Sequence, residues 1–282
     1  MAHRITGIDH VLLAVRDLDA ATHTFARLGF TASPRGVHEE WGTANRCLML
    51  AKGYVELIAP IGDGPGARRV AAHLDSWGEG LMGVALGSSD AQQSYQSLLR
   101  AGVKAGAPSP LSRRIEVADG ELRPSFAVVD LAAETTPGLP VFLCQHLTPE
   151  LLRRPAWLDH ANGASSLMSV TVVIDHPEAA MPEYNRLFGP AASTPTDEMV
   201  TVHSGRGLIY LVTADGFDLL HPELDLVLSD PPALVAMSIG VADLDRTAGW
   251  LDSNGIEVSR KGGHLGIDAA EVFGIGLEFV QA

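Results

Sequence analysis

Apolar and polar positions along this chain change period in a fixed order. From Ile8 to Val15 they fit a strand, with His10, Leu12 and Ala14 on one face and Val11, Leu13 and Val15 on the other. The period then lengthens: Ala20, Ala21, Phe25 and Leu28 make a helical stripe that Asp17 or Asp19 can cap and Gly29 can end. Three more strand candidates follow near 30–33, 43–50 and 53–58, separated by glycine and proline. The unit is one strand, one helix and three strands.

That order recurs. Gly83-Val84-Ala85-Leu86-Gly87 leads to Asp90 and Gly102; a strand near 169–174 leads to His176 and Gly189; Ala236-Met237-Ser238-Ile239 leads to Asp243 and Gly255. The recurring spacing predicts helices over 91–100, 177–187 and 244–253, and self-similarity at this scale fixes architecture before single residues are weighed. On this alignment Gly83, Ser169 and Ala236 stand where the first unit has His10. One curved four-stranded sheet with one helix cannot cover both its faces, so units must pair, leaving a cleft between sheets. The expected fold is α+β: four βαβββ units paired into two domains, 1–147 and 166–282, with cupped mixed sheets. Thr148 and Pro149 predict a short helix ending before Pro155. The apolar Leu151, Leu152, Trp157 and Leu158 should pack the 148–165 linker down.

Composition narrows the partners. Apolar residues make up 46% of 282, enough for a sizeable core. A formal charge of −14, from 34 acids against 20 bases, argues against nucleic acid or an anionic membrane. There is no signal-peptide pattern, and Cys47 and Cys144 sit singly in apolar runs, so a cytoplasmic protein with reduced, buried thiols is expected. Nucleophile-elbow, Walker and dinucleotide-loop motifs are absent, which leaves a small-molecule substrate as the expected partner.

Ile8-Asp9-His10-Val11, Asp17-Leu18-Asp19-Ala20-Ala21, Leu28-Gly29-Phe30, Trp41-Gly42-Thr43-Ala44-Asn45-Arg46 and Tyr54-Val55-Glu56-Leu57-Ile58 resemble the vicinal oxygen chelate superfamily, in its glyoxalase-like branch (the glyoxalase, bleomycin-resistance and extradiol-dioxygenase type). The resemblance covers all four units, with its strong motifs in the first sixty residues. It implies a cupped sheet around a divalent metal (Zn, Ni, Mn or Fe(II)) held by first-strand and last-strand residues. By position, His10 and Glu56 match two ligands. A third would come from Gln145 or His146, of which strand alternation lets only one face inward. Such sites serve lyase or isomerase chemistry on small carbonyl or hydroxyl compounds. Superfamily members pair their units within or between chains, so a homodimer is compatible with the pattern.

A second constellation comes from the residues themselves. His38 can act as general acid or base, while Trp41, Asn45 and Arg46 can orient a small oxygenated substrate, Arg46 from the opposite strand face. The bland reading makes His10 and Glu56 a hydrogen-bonded pair in a metal-free cup and Asn45 a loop stitch. With Gly83 at a ligand position, it supports a small-molecule binder instead of an enzyme. Fe(II)-dependent ring cleavage is a third reading, weakened by Ser169 and Ala236. In the second half Glu278 lies on an apolar strand and needs a buried partner, with Arg260 or His264 the candidates. That half is expected to be mainly structural, with His203 and His264 on surfaces or loops.

Overall fold

The computed structural model describes residues 2–282 and contains the four expected units in two curled mixed sheets. The first sheet is built from β1 (Ile5–Ala14), β2 (Gly36–His38), β3 (Thr43–Met49), β4 (Tyr54–Pro60), β5 (Gly80–Ser88), β6 (Ser109–Ser112), β7 (Arg114–Val117), β8 (Gly120–Leu122), β9 (Ser125–Asp130) and β10 (Val141–His146). Their order is β6-β9-β10-β5-β1-β4-β3-β2-β7-β8. The second sheet uses β11 (Ala164–Val173), β12 (Ser193–Pro195), β13 (Met199–His203), β14 (Leu208–Val212), β15 (Ala233–Val241), β16 (Val258–Lys261), β17 (His264–Ile267) and β18 (Gly276–Gln281). It runs β12-β13-β14-β11-β15-β18-β17-β16.

The helices follow local chemistry. Of the seven α-helices, α1 (Leu18–Arg27), α2 (Pro65–Ser76), α3 (Ala91–Arg100) and α4 (Pro155–Leu158) precede α5 (Pro177–Phe188), α6 (Ala214–Leu220) and α7 (Leu244–Ser253). Asp17, Asp90 and Asp243 cap α1, α3 and α7 through their carboxylates; His176 holds the same place before α5 and makes no side-chain cap. The linker forms a 3-10 turn at Pro149–Leu151 and resumes as α4 from Pro155, because proline at a first helical position costs no hydrogen bond. Leu152 and Trp157 bury against the first half. Neither α2 nor α6 was expected from the repeat.

Two topological details decide what each cup holds. The strands β6 and β7 lie near opposite ends of the first sheet's strand order, yet only Arg113 separates them in sequence. The sheet must therefore curl until its two sides meet at that residue, whose side chain is buried. The second sheet has no such seam. The other detail is a β-bulge. Ile8 pairs with Leu86 and His10 with Ala85, so Asp9 is an extra residue without a partner; Met168 is extra in the same way between Leu167 and Ser169. The residues facing His10 and Ser169 across the central pair are thus Ala85 and Ser238. Met82 and Val235 are skipped at the same place in the partner strands, so Gly83 and Ala236 stay the repeat equivalents of His10 and Ser169, as the cap spacing predicts.

The halves share one core. Phe30 stacks on Phe279 at 5.9 Å, Phe25 on Phe273 at 6.3 Å, and Ile8 N donates to Arg206 O at 2.7 Å. That last approach needs Gly7, at φ 109°, because a Cβ there would fall 2.0 Å from Arg206 N.

Candidate functional site

In the first cup the bulge lets two adjacent residues aim inward. Nδ1 of His10 lies 2.8 Å from Asp9 Oδ2, and its Nε2 lies 3.3 Å from Glu56 Oε2. A carboxylate only accepts, so both imidazole nitrogens carry protons in this arrangement. Tyr54 stacks on the ring at 4.2 Å, and Asn45 Nδ2 donates to Glu56 Oε1. Burial disfavours the imidazolium, but its hydrogen bonds to Asp9 and Glu56 outweigh that and push His10 up to about 9. Burial likewise opposes the carboxylates, yet His10 holds Glu56 at about 2, and His10 with His146 drives Asp9 far below its ordinary range. His38 takes the opposite course. Burial outweighs the attraction of Glu56 and lowers it to about 4, and its Nδ1 meets Thr43 Oγ1 at 3.0 Å.

Gln145 and His146 are the two candidates for the third ligand position. Gln145 faces away: its Oε1 accepts from Ala91 N at the start of α3. Facing inward, His146 has its Nε2 directed at Asp9 Oδ2 at 2.8 Å instead of towards Glu56. Arg46 bonds Ser33 O and Asp19 on the far side of β3, and Trp41 lies over Gly66 at the first turn of α2. Sequence reading missed Arg113, which enters from the seam, donates to Cys47 Sγ at 2.8 Å and extends its charge to Glu56.

His10 and Glu56 converge as the metal reading expects, whereas His146 turns to Asp9 and Gln145 to α3. The buried carboxylates Asp9 and Glu56 are balanced by imidazolium His10 and guanidinium Arg113, while Tyr54, Phe126, Cys144, Leu152 and Trp157 pack the remaining cup. Asp9, Cys144 and His146 bring donor atoms within 4.8 Å of one another. Burial, however, holds the Cys144 thiol protonated, and Asp9 already accepts from two imidazoles.

The second cup is open. A cavity of about 650 Å³ lies against Tyr210, His221, Ser238, His264 and Glu278, with Lys52 and Arg206 on its wall. Glu278 is the hub: Ser238 Oγ donates to its Oε1, and Nδ1 of both His221 and His264 lies 3.2 Å from its Oε2. The serine hydroxyls Ser169 and Ser238 meet at 2.6 Å, and Nε2 of His221 bonds Thr171 Oγ1 at 2.8 Å. His264 answers the partner question for Glu278, whereas Arg260 turns to Asp245. Although burial works against it, the neighbouring carboxylates of Glu223 and Glu278 push His221 up to about 9. Glu223 is raised by burial and by Glu278. Neither His221 nor Glu223 belongs to the repeated unit. They sit in the turn after α6, closed by Leu224 N donating to His221 O at 3.0 Å.

Two curled sheets, each of paired βαβββ units enclosing a cup, define the vicinal oxygen chelate class. Within it the chain belongs to the glyoxalase-like domain family, which matches residues 8–188. The fold also overlays a hypothetical protein from Staphylococcus aureus with a TM-score of 0.69 at 11% identity, covering 98% of this chain and 99% of that one. For a mutant 4-hydroxymandelate synthase from Streptomyces coelicolor the values are 0.62, 15%, 98% and 92%. A fusion of a xylose isomerase-like TIM barrel with 4-hydroxyphenylpyruvate dioxygenase gives 0.61 at 14% identity, over 100% of this chain and 50% of that one. At such identities the likeness is one of fold. No curated protein matches the chain's sequence. Among the described residues no helix is long and apolar enough to cross a membrane.

Proposed function

We propose that the chain is a vicinal oxygen chelate enzyme of the isomerase or lyase kind. It would act in the second cup on a small carboxylate carrying an adjacent carbonyl or hydroxyl. The carrying observation is the cavity of about 650 Å³ that opens on His264, Tyr210 and Glu278. His264 is the proton carrier: Nδ1 is oriented by Glu278 Oε2, which leaves Nε2 to take a proton from the carbon beside the carbonyl and return it to the same or the neighbouring carbon. Lys52 and Arg206 supply positive charge on the cavity wall for the carboxylate, and the Tyr210 hydroxyl can donate to the developing enolate oxygen. No second substrate or redox partner is needed for this exchange.

The test is deuterium washout. In D2O, 2-oxo acids of three to six carbons should lose the proton on the carbon beside the carbonyl, and 2-hydroxy acids the proton on the hydroxyl-bearing carbon, followed by NMR, only with protein present. His264→Gln should slow the loss by roughly 10²–10⁴-fold. Saturable binding without washout across the series would make the protein a binder instead.

A second reading keeps the chemistry at His10, His38, Asn45 and Glu56. It is favoured by the family match, which spans 8–188 and so contains that cup and leaves out Glu278. Here Glu56→Gln would abolish washout and His264→Gln would spare it. No step through a metal is derived for this cup, whose charges already cancel.

A further inference from the structure

We propose that the second cup binds one divalent transition metal ion on His221, Glu223 and Glu278. The inference deepens the reading of that cup as the reactive one and rests on it for the ion's chemical use, while binding itself is measured without substrate. Donor atoms of these three residues lie within 4.8 Å of one another, and all three residues are buried. The independent sign is Glu223. Its side chain is fully buried, yet neither carboxylate oxygen has a hydrogen-bond partner. Such a group is costly unless a cation completes it.

The spacings suit a shared ion. Glu223 Oε1 lies 3.8 Å from His221 Nδ1, and Glu278 Oε2 lies 3.2 Å from the same nitrogen. Ligand bonds of about 2.0–2.2 Å put neighbouring donors of a tetrahedral or octahedral shell roughly 3–3.5 Å apart. Closing the wider gap therefore takes a shift of a few tenths of an ångström. With Nε2 held by Thr171, His221 can present an unprotonated Nδ1 to the ion, and Ser238 fixes Glu278. An imidazole with two carboxylates suits zinc, manganese or iron(II). His264, whose Nδ1 lies 3.9 Å from Glu223 Oε1, lines the cavity beside this set.

The ligands are drawn from an unexpected place. The central first-strand pair, opposite each other at Ser169 and Ser238, carries hydroxyls that bond each other. The turn after α6 brings its own imidazole and carboxylate over the same hub. Bound there, the ion would serve as a Lewis acid for a substrate oxygen at the cavity floor.

The experiment uses full-length protein without a histidine tag, stripped with chelator and titrated calorimetrically with Zn²⁺ and with Mn²⁺. One equivalent should bind one or both, raising the melting temperature. Glu223→Gln and His221→Gln should each weaken binding at least a hundredfold, and Thr171→Val about ten- to a hundredfold. Glu56→Gln, in the other cup, should leave the stoichiometry at one. Folding is checked in the same samples, because Glu223→Gln should melt higher than the parent when metal-free yet gain nothing from the ion. If Glu223→Gln fails to fold, Thr171→Val carries the test alone. No binding by the parent below millimolar ion, or binding that survives the second-cup variants, overturns the proposal. Washout in a parent protein that binds no metal would defeat the metal inference and spare the proton-transfer reading; metal binding without washout would do the reverse.

Discussion

The two cups share a scaffold and differ in how their charges are settled. At the same bulge of the central strand one has Asp9 and His10, the other Met168 and Ser169. The first sheet curls shut at Arg113, and the guanidinium carried in by that seam completes a set of two carboxylates, an imidazolium and a guanidinium. In the second, which has no seam, two carboxylates meet imidazoles and the Ser238 hydroxyl, and one of them lacks a hydrogen-bond partner. Closure and neutrality go together because a sealed low-dielectric site cannot hold an unbalanced charge. An open cup can leave one for a ligand.

The sharpest way to break this contrast is to remove one charge from each cup. Glu56→Ala leaves imidazolium His10 and guanidinium Arg113 facing Asp9 alone, and should cost roughly 3–5 kcal/mol in urea unfolding. Glu223→Met in metal-free protein removes a buried group with no hydrogen-bond partner, and should stabilise by on the order of 1–3 kcal/mol. Equal losses in both variants would mean that the second cup is as internally satisfied as the first.

Titration sharpens the comparison next. His10, raised to about 9 against an ordinary 6.5, binds its proton more tightly folded than unfolded. Its contribution is fully present below pH 6.5 and is lost as pH rises through 9. Lowered to about 4, His38 works the other way: the unfolded chain binds the extra proton, so stability falls as pH drops from 6.5 towards 4. Glu56 and Asp9, both depressed, add to the acid-side loss below their ordinary values. Stability should therefore peak near pH 6.5. His10→Gln should flatten the alkaline limb only in part, since His221 is raised as well. Chemical unfolding from pH 4 to pH 9.5 checks both limbs; an unchanged alkaline slope in His10→Gln would show that the imidazolium network does not exist in solution.

Much of this was legible in the letters, and the parts that were not share a cause. The period changes and capping aspartates marked the repeated strand and helix because those signals are local. Face alternation placed Gln145 and His146 on opposite sides and Arg46 away from Asn45. What escaped depends on closure between distant segments. Arg113 reads as one more base in a polar run until β6 and β7 are known to border a single curled sheet. Asp9 reads as outward by alternation until a bulge turns it in. His221 and Glu223 lie between repeats, where no periodic signal exists, and only the return of β18 brings Glu278 to them.

The smallest expected effect tests the shared scaffold instead of the cups. Three of the four unit helices start on an aspartate whose carboxylate takes backbone N–H groups, and the fourth starts on His176, whose side chain takes none. Asp17→Ala and Asp243→Ala should each cost about 1 kcal/mol, alike in both halves, because the cap is local and does not sense which cup lies beneath it. His176→Asp should run the other way and gain from several tenths to about 1 kcal/mol, from the added acceptor and from a negative charge at the start of α5. Glu178 in that first turn already supplies part of the charge effect, so the gain should sit at the lower end and shrink further in salt. Urea midpoints of the three variants at low and high ionic strength measure this. A loss in His176→Asp would mean that its backbone, at φ −132° and ψ 77°, does not aim a side chain at the helix as the three aspartates do.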